Sequence, residues 1–398
     1  MTNTEDDLRG RVQKLLAAHD PHGDRMDFLR AQFDAGLAWV HFPAGLGGLD
    51  APRALQSVVD AELAAAGAPN NDPRRIGIGL GMAAPTILTH GTDEQRQRWL
   101  RPLWTGEQVW CQLFSEPGAG SDLAALGTRA VLEGDTWVVN GQKVWTSQAH
   151  VASWAILVTR TDPDVPKHKG MTYFALDMHA DGVDVRPLRQ ITGEAEFNEV
   201  FLTDVQIPDA HRLGRIGEGW AVAQTTLMNE RVAIGGGAAP REAGMISVVA
   251  DIWRSRPELR SPAAHDELMR LWVGAEAARL TGLRLREQLA AGAPGPEGSA
   301  AKLAYALLNQ EISSFELDLL GADALRYDDW SSDTWRTDRP NSTDFLGRSP
   351  GYRYLRAKGN SIEGGTSEIL RNIIAERVLG LPGEVRVDKT VAWKDLPK

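Results

Sequence analysis

"TWVVNGQKVWTS", residues 136–147, changes the period of the chain. Up to about residue 105 apolar residues recur three and four apart, as in "DLRGRVQKLLAAHD" and "APRALQSVVDAELAAAGA". That is the spacing of amphipathic helices. In 136–147 two short β-prone runs flank Asn140-Gly141, the strongest short hairpin signal. "WAILVTR", "GMTYFALDM", "GVDVRPLRQI" and "EFNEVFLTDVQI" follow at strand length, separated by Gly, Pro and Asp. The region predicts a compact antiparallel β domain over about 111–215.

Outward from this block the chain is helical on both sides. Upstream, "GTDEQRQRWLRPLW" opens on a cap-like Thr92-Asp93 with acids in its first turn. Between the upstream helices lies "HFPAGLGGLD", rich in turn formers. Downstream of Pro208 one helix is expected from near Gly219 through "WAVAQTTLMNERVAIGGGAAPREAGMISVVADIW". A second is expected over about 263–291, a break at "APGPEGS", and a third in "AAKLAYALLNQEISSFELDLLG". The polar stretch 322–350 reads as a long surface loop, and a final helix follows "GGTSE", over about 367–379. The order predicts an α+β fold in three parts. These are an N-terminal helical domain, 1–110, a middle antiparallel β domain, 111–215, and a C-terminal helical bundle, 216–398. There is no internal repeat and no low-complexity segment.

Composition narrows the function. A chain of 398 residues exceeds one ordinary core. Its formal charge of −10 argues against nucleic acid and anionic membranes as partners, since both reward a basic surface. The single cysteine, Cys111, excludes an internal disulfide and suits a reducing compartment. The polar, acidic start "MTNTEDDLRG" lacks a signal-peptide pattern, and no apolar run approaches the roughly 18 residues of a membrane span. The expectation is a cytoplasmic protein. There is no Walker A sequence, HExxH or CxxC, the His residues lack ligand spacing, and no metal site is expected. "GIGLGMA" does not fit a dinucleotide fingerprint, and no GxSxG elbow is present.

Three stretches carry possible chemistry. "FSEPGAGSD", 114–122, offers Ser115, Ser121 and backbone N–H groups in a turn that can approach a flat or phosphorylated ligand, or is an ordinary strand exit. In "QKVWTS", 142–147, alternation puts Trp145 and Ser147 on one strand face. An aromatic beside a hydroxyl suits a heteroaromatic ring, and equally a core tryptophan. "SIEGGTSEIL", 361–370, is a turn entering a helix that Thr366 or Ser367 can cap.

These motifs in this order, with "HGTDEQRQRWLRPLWTGE" and "NIIAERVLGLP", resemble the acyl-CoA dehydrogenase family over nearly the whole chain. The resemblance implies FAD bound between the β domain and the C-terminal helices, and oxidation of an acyl-CoA thioester between its α and β carbons. It implies that Gln112, Phe114, Ser115, Gly120 and Ser121 line the flavin, with Trp145 over the ring and Ser147 at its edge. Thr366 and Glu368 would contact the cofactor from the last helix, and Ser121 and Arg231 the substrate. Electrons would pass to an electron-transferring flavoprotein. The assembly would be a homotetramer or dimer, or a heterotetramer.

The proton acceptor is the open point. Most of the family places a carboxylate immediately before Gly-Thr-Ser, where this chain has Gly364. Glu363 is one step earlier, and in an extended stretch one residue reverses a side chain's direction. A subgroup resembling the isovaleryl-CoA and long-chain enzymes takes the base from a C-terminal-domain helix, just before an arginine. "LMNERVAIGGG" supplies Glu230 and Arg231, and Glu230 lies three residues beyond Leu227 on one helix face. The resemblance therefore implies Glu230 as base and the Gly364 N–H as a donor to the thioester oxygen. Elsewhere a Glu-Arg pair of this kind would be a solvated face.

Two departures bear on assembly. The Arg-x-x-Phe-Gly stretch that reaches a neighbouring subunit's FAD is missing from "WRSRPELRSPAAHDELMR", and Asp318 stands where glutamine is usual. Gly77, Gly79 and Gly81, in the stretch bordering the acyl tail, are expected to widen the cavity for a branched or bulky acyl group. Two alternatives use the same fold: a flavin monooxygenase or oxidase, and a non-catalytic subunit of a mixed tetramer.

Overall fold

The computed structural model describes residues 4–73, 75–235, 240–290, 298–326, 345–383 and 386–397, without the side chains of 230–235, 289–290 and 387. Five helices open the chain: α1 (Glu5–Ala18), α2 (Arg25–Asp34), α3 (Gln56–Ala65), α4 (Ala84–His90) and α5 (Asp93–Thr105). Their starts follow from local chemistry. Thr4 and Asp7 form a reciprocal cap on α1, and Thr92 and Gln95 do the same on α5. Gly106, at φ 81°, ends α5 in the left-handed conformation that glycine adopts without strain. A π-helical turn, Gly79–Ala83, leads into α4.

The sheet contains β1 (Trp110–Leu113), β2 (Arg129–Glu133), β3 (Thr136–Ser147), β4 (Trp154–Arg160), β5 (Met171–Asp177), β6 (Val183–Leu188), β7 (Phe197–Pro208) and β8 (Arg212–Leu213). Its order is β6-β7-β3-β2-β4-β5-β8, with β1 also paired to β4. The sheet is mixed rather than wholly antiparallel. β1 runs parallel to β4, and β2 meets β4 in parallel at Arg129 and Arg160. The remaining pairs are antiparallel. β4 and most of β5 are buried, so they read as continuous apolar runs rather than alternating ones.

The expected hairpin at Asn140-Gly141 is corrected. β3 runs straight through that pair, and the β2–β3 turn lies at Gly134-Asp135. Asn140 instead bonds Asp204 on β7, Nδ2 to Oδ1 at 2.9 Å and Oδ1 from the Asp204 N–H at 2.9 Å, beside a register shift. Gly141 is needed for close approach: a Cβ there would lie 2.4 Å from Thr128 Oγ1.

The helices return as α6 (Gly219–Gly235), α7 (Met245–Ser255), α8 (Pro262–Ala290), α9 (Gly298–Leu320), α10 (Pro350–Ala357) and α11 (Ser367–Ile373), the last continuing as a π-turn to Val378. The single long helix expected from Gly219 to Trp253 is two, α6 and α7. Of the loop expected over 322–350, residues 327–344 lie outside the described residues.

A tryptophan-rich core joins the N-terminal helices to the sheet. Trp99, Trp110 and Trp154 meet with centroids 5.5–5.9 Å apart. Each buries a large apolar area, on the order of 3 kcal/mol per side chain. Gly79 serves this packing: a Cβ there would sit 3.3 Å from Leu103 and 3.7 Å from Trp110. Its small size admits the π-turn to the core. Gly77, by contrast, has open space around its Cα.

Candidate active site

Two of the loops that carry candidate residues are linked by a short chain of contacts. The first is the end of β3. A bulge between Lys143 and Thr146 breaks the pairing with β7, and Trp145 takes φ 61° there. That left-handed backbone is unfavourable for a bulky residue and marks a position held by its surroundings. Val144 and Thr146 turn inward, while Trp145 remains 59% exposed and Ser147 half-buried. The Trp145 ring meets Phe197 edge-on at 6.0 Å.

The second loop follows α10. Arg356 lies 6.0 Å from the Phe197 ring and grips Glu363, Nη2 to Oε2 at 2.9 Å. Asn360 donates to the other carboxylate oxygen at 2.7 Å. Trp145, Phe197, Arg356 and Glu363 thus run in contact from the sheet to the helices. The stretch around Glu363 is a tight turn after a 3-10 turn at Lys358–Ser361 and leads into α11, as the sequence reading of a turn entering a helix expects. Arg356 and Asn360 together engage both oxygens of Glu363.

Gly364 and Gly365 follow at φ 63° and 95°. Two successive left-handed residues suit only glycine without strain. Lys302 on α9, 6% exposed, donates to Asn360 O at 2.7 Å and Gly365 O at 2.8 Å, so an ammonium fixes both sides of the turn. The Thr366 side chain accepts from the Ile369 N–H at 3.2 Å and caps α11. Glu368 is exposed and pairs with Arg371 at 3.3 Å.

The turn 114–122 lies beyond β1. Gln112 and Ser115 are half-buried, and Gly120 and Ser121 exposed. Phe114 is only 3% exposed, its ring edge-on to Tyr173 at 5.8 Å, so its side chain belongs to the core and only its backbone is left for a ligand. Beneath the turn sits a buried ion pair that sequence reading missed. Lys143 Nζ lies 2.8 Å from Glu116 Oε1 and donates to Phe114 O at 3.0 Å. Glu116 also accepts from the N–H groups of Gly127 and Thr128 at 2.7 and 2.9 Å. Burial works against both charges. Lys143 is pushed below its ordinary range despite Glu116, while Lys143 and the surrounding donors hold Glu116 below its own. The signal was present in "FSEPGAGSD" and "QKVW", but which charges meet depends on the fold.

Glu230 and Arg231 fall on α6; their side chains lie outside the described residues. Position 230 is one helical turn beyond Thr226, which is buried and bonded to Tyr173 at 2.9 Å and Thr86 at 2.8 Å. Ser115, Ser121, Ser147 and Gln112 offer neutral hydroxyl and amide groups, and Trp145 an open aromatic face. That donor set fits a flavin ring and its polar edge. Among the described residues no group of three metal-ligating side chains occurs, and no helix is long and apolar enough to cross a membrane.

Comparison with known proteins agrees over the full length. The chain matches the N-terminal domain of acyl-CoA dehydrogenases over residues 3–107, the middle domain over 111–205 and the C-terminal domain over 217–379. It is 35% identical over 368 residues to acyl-CoA dehydrogenase IpdE1 of Mycobacterium tuberculosis, covering 92% of this chain and 91% of that protein. It is 42% identical over 353 residues to acyl-CoA dehydrogenase FadE34 of the same organism, covering 88% of this chain but 45% of FadE34. The chain thus spans less than half the length of that relative. A solved structure titled "Tcur3481-Tcur3483 steroid ACAD" superposes with a TM-score of 0.72 at 26% identity, over 96% of this chain and 97% of that one. The chain belongs to the acyl-CoA dehydrogenase family, whose members are FAD-dependent oxidoreductases acting on acyl-CoA.

Proposed function

We propose that this chain oxidises an acyl-CoA thioester to the 2-enoyl-CoA, with Glu230 taking the α proton. FAD, when bound, supplies the acceptor for the β hydride. The carrying observation is the Arg356–Glu363–Asn360 contact, which engages the one carboxylate next to Gly364 and leaves the base to come from α6. Trp145 and Ser147 would seat the ring from the sheet side, with Ser115, Ser121, the backbone at Phe114 and Gly120, Gln112 and Thr366 around it. Glu368, exposed and paired with Arg371, would reach the cofactor only at its periphery. The Gly364 N–H would donate to the thioester oxygen as enolate charge develops. Arg231 and Ser121 would contact the substrate. A carboxylate on the buried face of α6 would be shielded from water, which raises its proton affinity towards that needed of a base.

A bulky acyl group is the preferred substrate. A solved relative is titled a steroid ACAD. Electrons would pass to an electron-transferring flavoprotein. Val273, Leu280 and Tyr305 on α8 and α9 are 62%, 51% and 49% exposed, which supports assembly through these helices as a homo- or hetero-oligomer.

Replacing Glu230 with Gln tests the mechanism. FAD remains bound and acyl-CoA no longer bleaches the flavin. Activity retained in Glu230→Gln and lost in Glu363→Gln rejects it. A panel of acyl-CoA substrates with an artificial acceptor tests the acyl group; a preference for short straight chains rejects the bulky one.

A further inference from the structure

We propose that the segment 386–397 is a brace for the turn 114–122, with Trp393 and Asp388 as positioning residues for it. The cofactor consequence rests on the reading above; the brace itself does not. The segment returns from the C-terminal helices to the sheet and docks on the 162–169 loop. Ala392 forms an antiparallel bridge with Pro166. The Trp393 N–H donates to Val165 O at 2.9 Å and the Lys394 N–H to Pro163 O at 3.0 Å. Lys394 Nζ lies 2.7 Å from Asp164.

Two arms reach from this dock to opposite ends of the turn. The first begins at the Trp393 indole, which donates to Ala125 O at 3.1 Å and lies 5.0 Å from the Arg160 guanidinium. Arg160 is 2% exposed and donates to Ala124 O at 2.5 Å and Lys167 O at 2.7 Å. The indole also covers Gly127: a Cβ there would lie 3.6 Å from Trp393 and 3.8 Å from the Glu116 carboxylate. The Gly127 N–H holds Glu116, Glu116 holds Lys143, and Lys143 holds the Phe114 carbonyl. The second arm is Lys167, 3% exposed, whose Nζ sits 2.6 Å from Asp388 and 2.6 Å from Asp122. Asp122 is the last residue of the turn. The buried ammonium bridges the two carboxylates, so Asp388 fixes the position of Lys167 and Lys167 in turn draws Asp122, whose side chain is 55% exposed, toward the segment.

The turn is anchored at Phe114 and Ala119, 3% and 2% exposed, and by the Val144 N–H on Ser115 O at 2.9 Å, while its glycines are loosely packed. Glu116 and Ala119 bond each other, and Gly118 and Gly120 meet nothing within 4 Å of where a Cβ would be. The two arms add to this anchoring from outside, at the exposed end of the turn and beneath Gly127.

Amide hydrogen exchange on the full chain, with FAD affinity measured in parallel, tests this. In Trp393→Ala the amides of 116–128 exchange about tenfold faster while those of α11 stay at wild-type rates. Trp393→Phe, which keeps the aromatic face, restores exchange to within about threefold of wild type. Asp388→Asn accelerates the amides nearest Asp122, and in both Trp393→Ala and Asp388→Asn the FAD dissociation constant rises about fivefold or more. Unchanged exchange over 116–128 in both variants overturns the brace, as does equal loosening of α11. If exchange responds as stated but the wild type binds no FAD, the brace stands and the cofactor reading falls.

Discussion

Arg356 and Glu363 meet across the bend that follows α10, Nη2 to Oε2 at 2.9 Å, and Asn360 closes the other oxygen at 2.7 Å. A carboxylate committed to two donors is a hinge pin for the bend. Glu363→Gln keeps the shape but loses the charge. It should retain turnover with acyl-CoA and lose about 0.5–1 kcal/mol of stability, because the pair is half-exposed. Urea denaturation and a dehydrogenase assay check the two halves.

Lys302 gives a larger effect because it is buried. Lys302→Met leaves the carbonyls of Asn360 and Gly365 without their donor. The expected cost is about 2–3 kcal/mol, read from the urea midpoint. The same variant should weaken FAD binding, since the Gly364–Gly365 turn loses its anchor.

Trp145 separates binding from folding. Its ring is 59% exposed, so Trp145→Ala should change stability by no more than about 0.5 kcal/mol. If the ring lies against the flavin, FAD affinity falls about threefold to tenfold, the worth of one aromatic contact. Equilibrium dialysis with thermal melts distinguishes this from general damage.

Glu196 supplies a pH signature. Burial, and then repulsion from Glu194, raise its carboxyl above the ordinary carboxylate range. An acid with a raised folded-state value binds its proton in the fold where the unfolded chain has lost it, so stability falls as pH rises through that window. Glu196→Gln removes the effect. Its thermal midpoint should exceed that of wild type at pH 7, and the gain should vanish below the ordinary value of 4.5. Stability curves of wild type and Glu196→Gln that run parallel as pH rises above 4.5 contradict the assignment.

The sequence disclosed the element types well where the signal was local. Thr4 and Thr92 cap their helices from side chains three residues apart, and the strand runs 154–160 and 171–177 are apolar throughout. It misplaced the hairpin because Asn140-Gly141 satisfies a turn rule and a close-packing rule equally. Thr128, which presses on Gly141, comes from a distant strand position that no local window contains. The separation of α6 from α7 was concealed in the sequence by apolar periodicity on both sides. The contact of the Phe114 ring with Tyr173, just beyond β1, joins residues 59 apart (173 − 114) and was not legible locally.

The sequence by itself determined the helical–sheet–helical layout and the glycine at 364, and its ordered motifs carried the resemblance to the family, since each follows from residue identity and near neighbours. Only the tertiary structure decided that Glu363 is engaged by Arg356, that Lys143 and Glu116 are one buried pair, and that Trp393 lies over Gly127. Those contacts join residues 7, 27 and 266 positions apart in the chain (363 − 356, 143 − 116 and 393 − 127), so only the fold brings them together, and solvent exclusion strengthens the Lys143–Glu116 pair in particular.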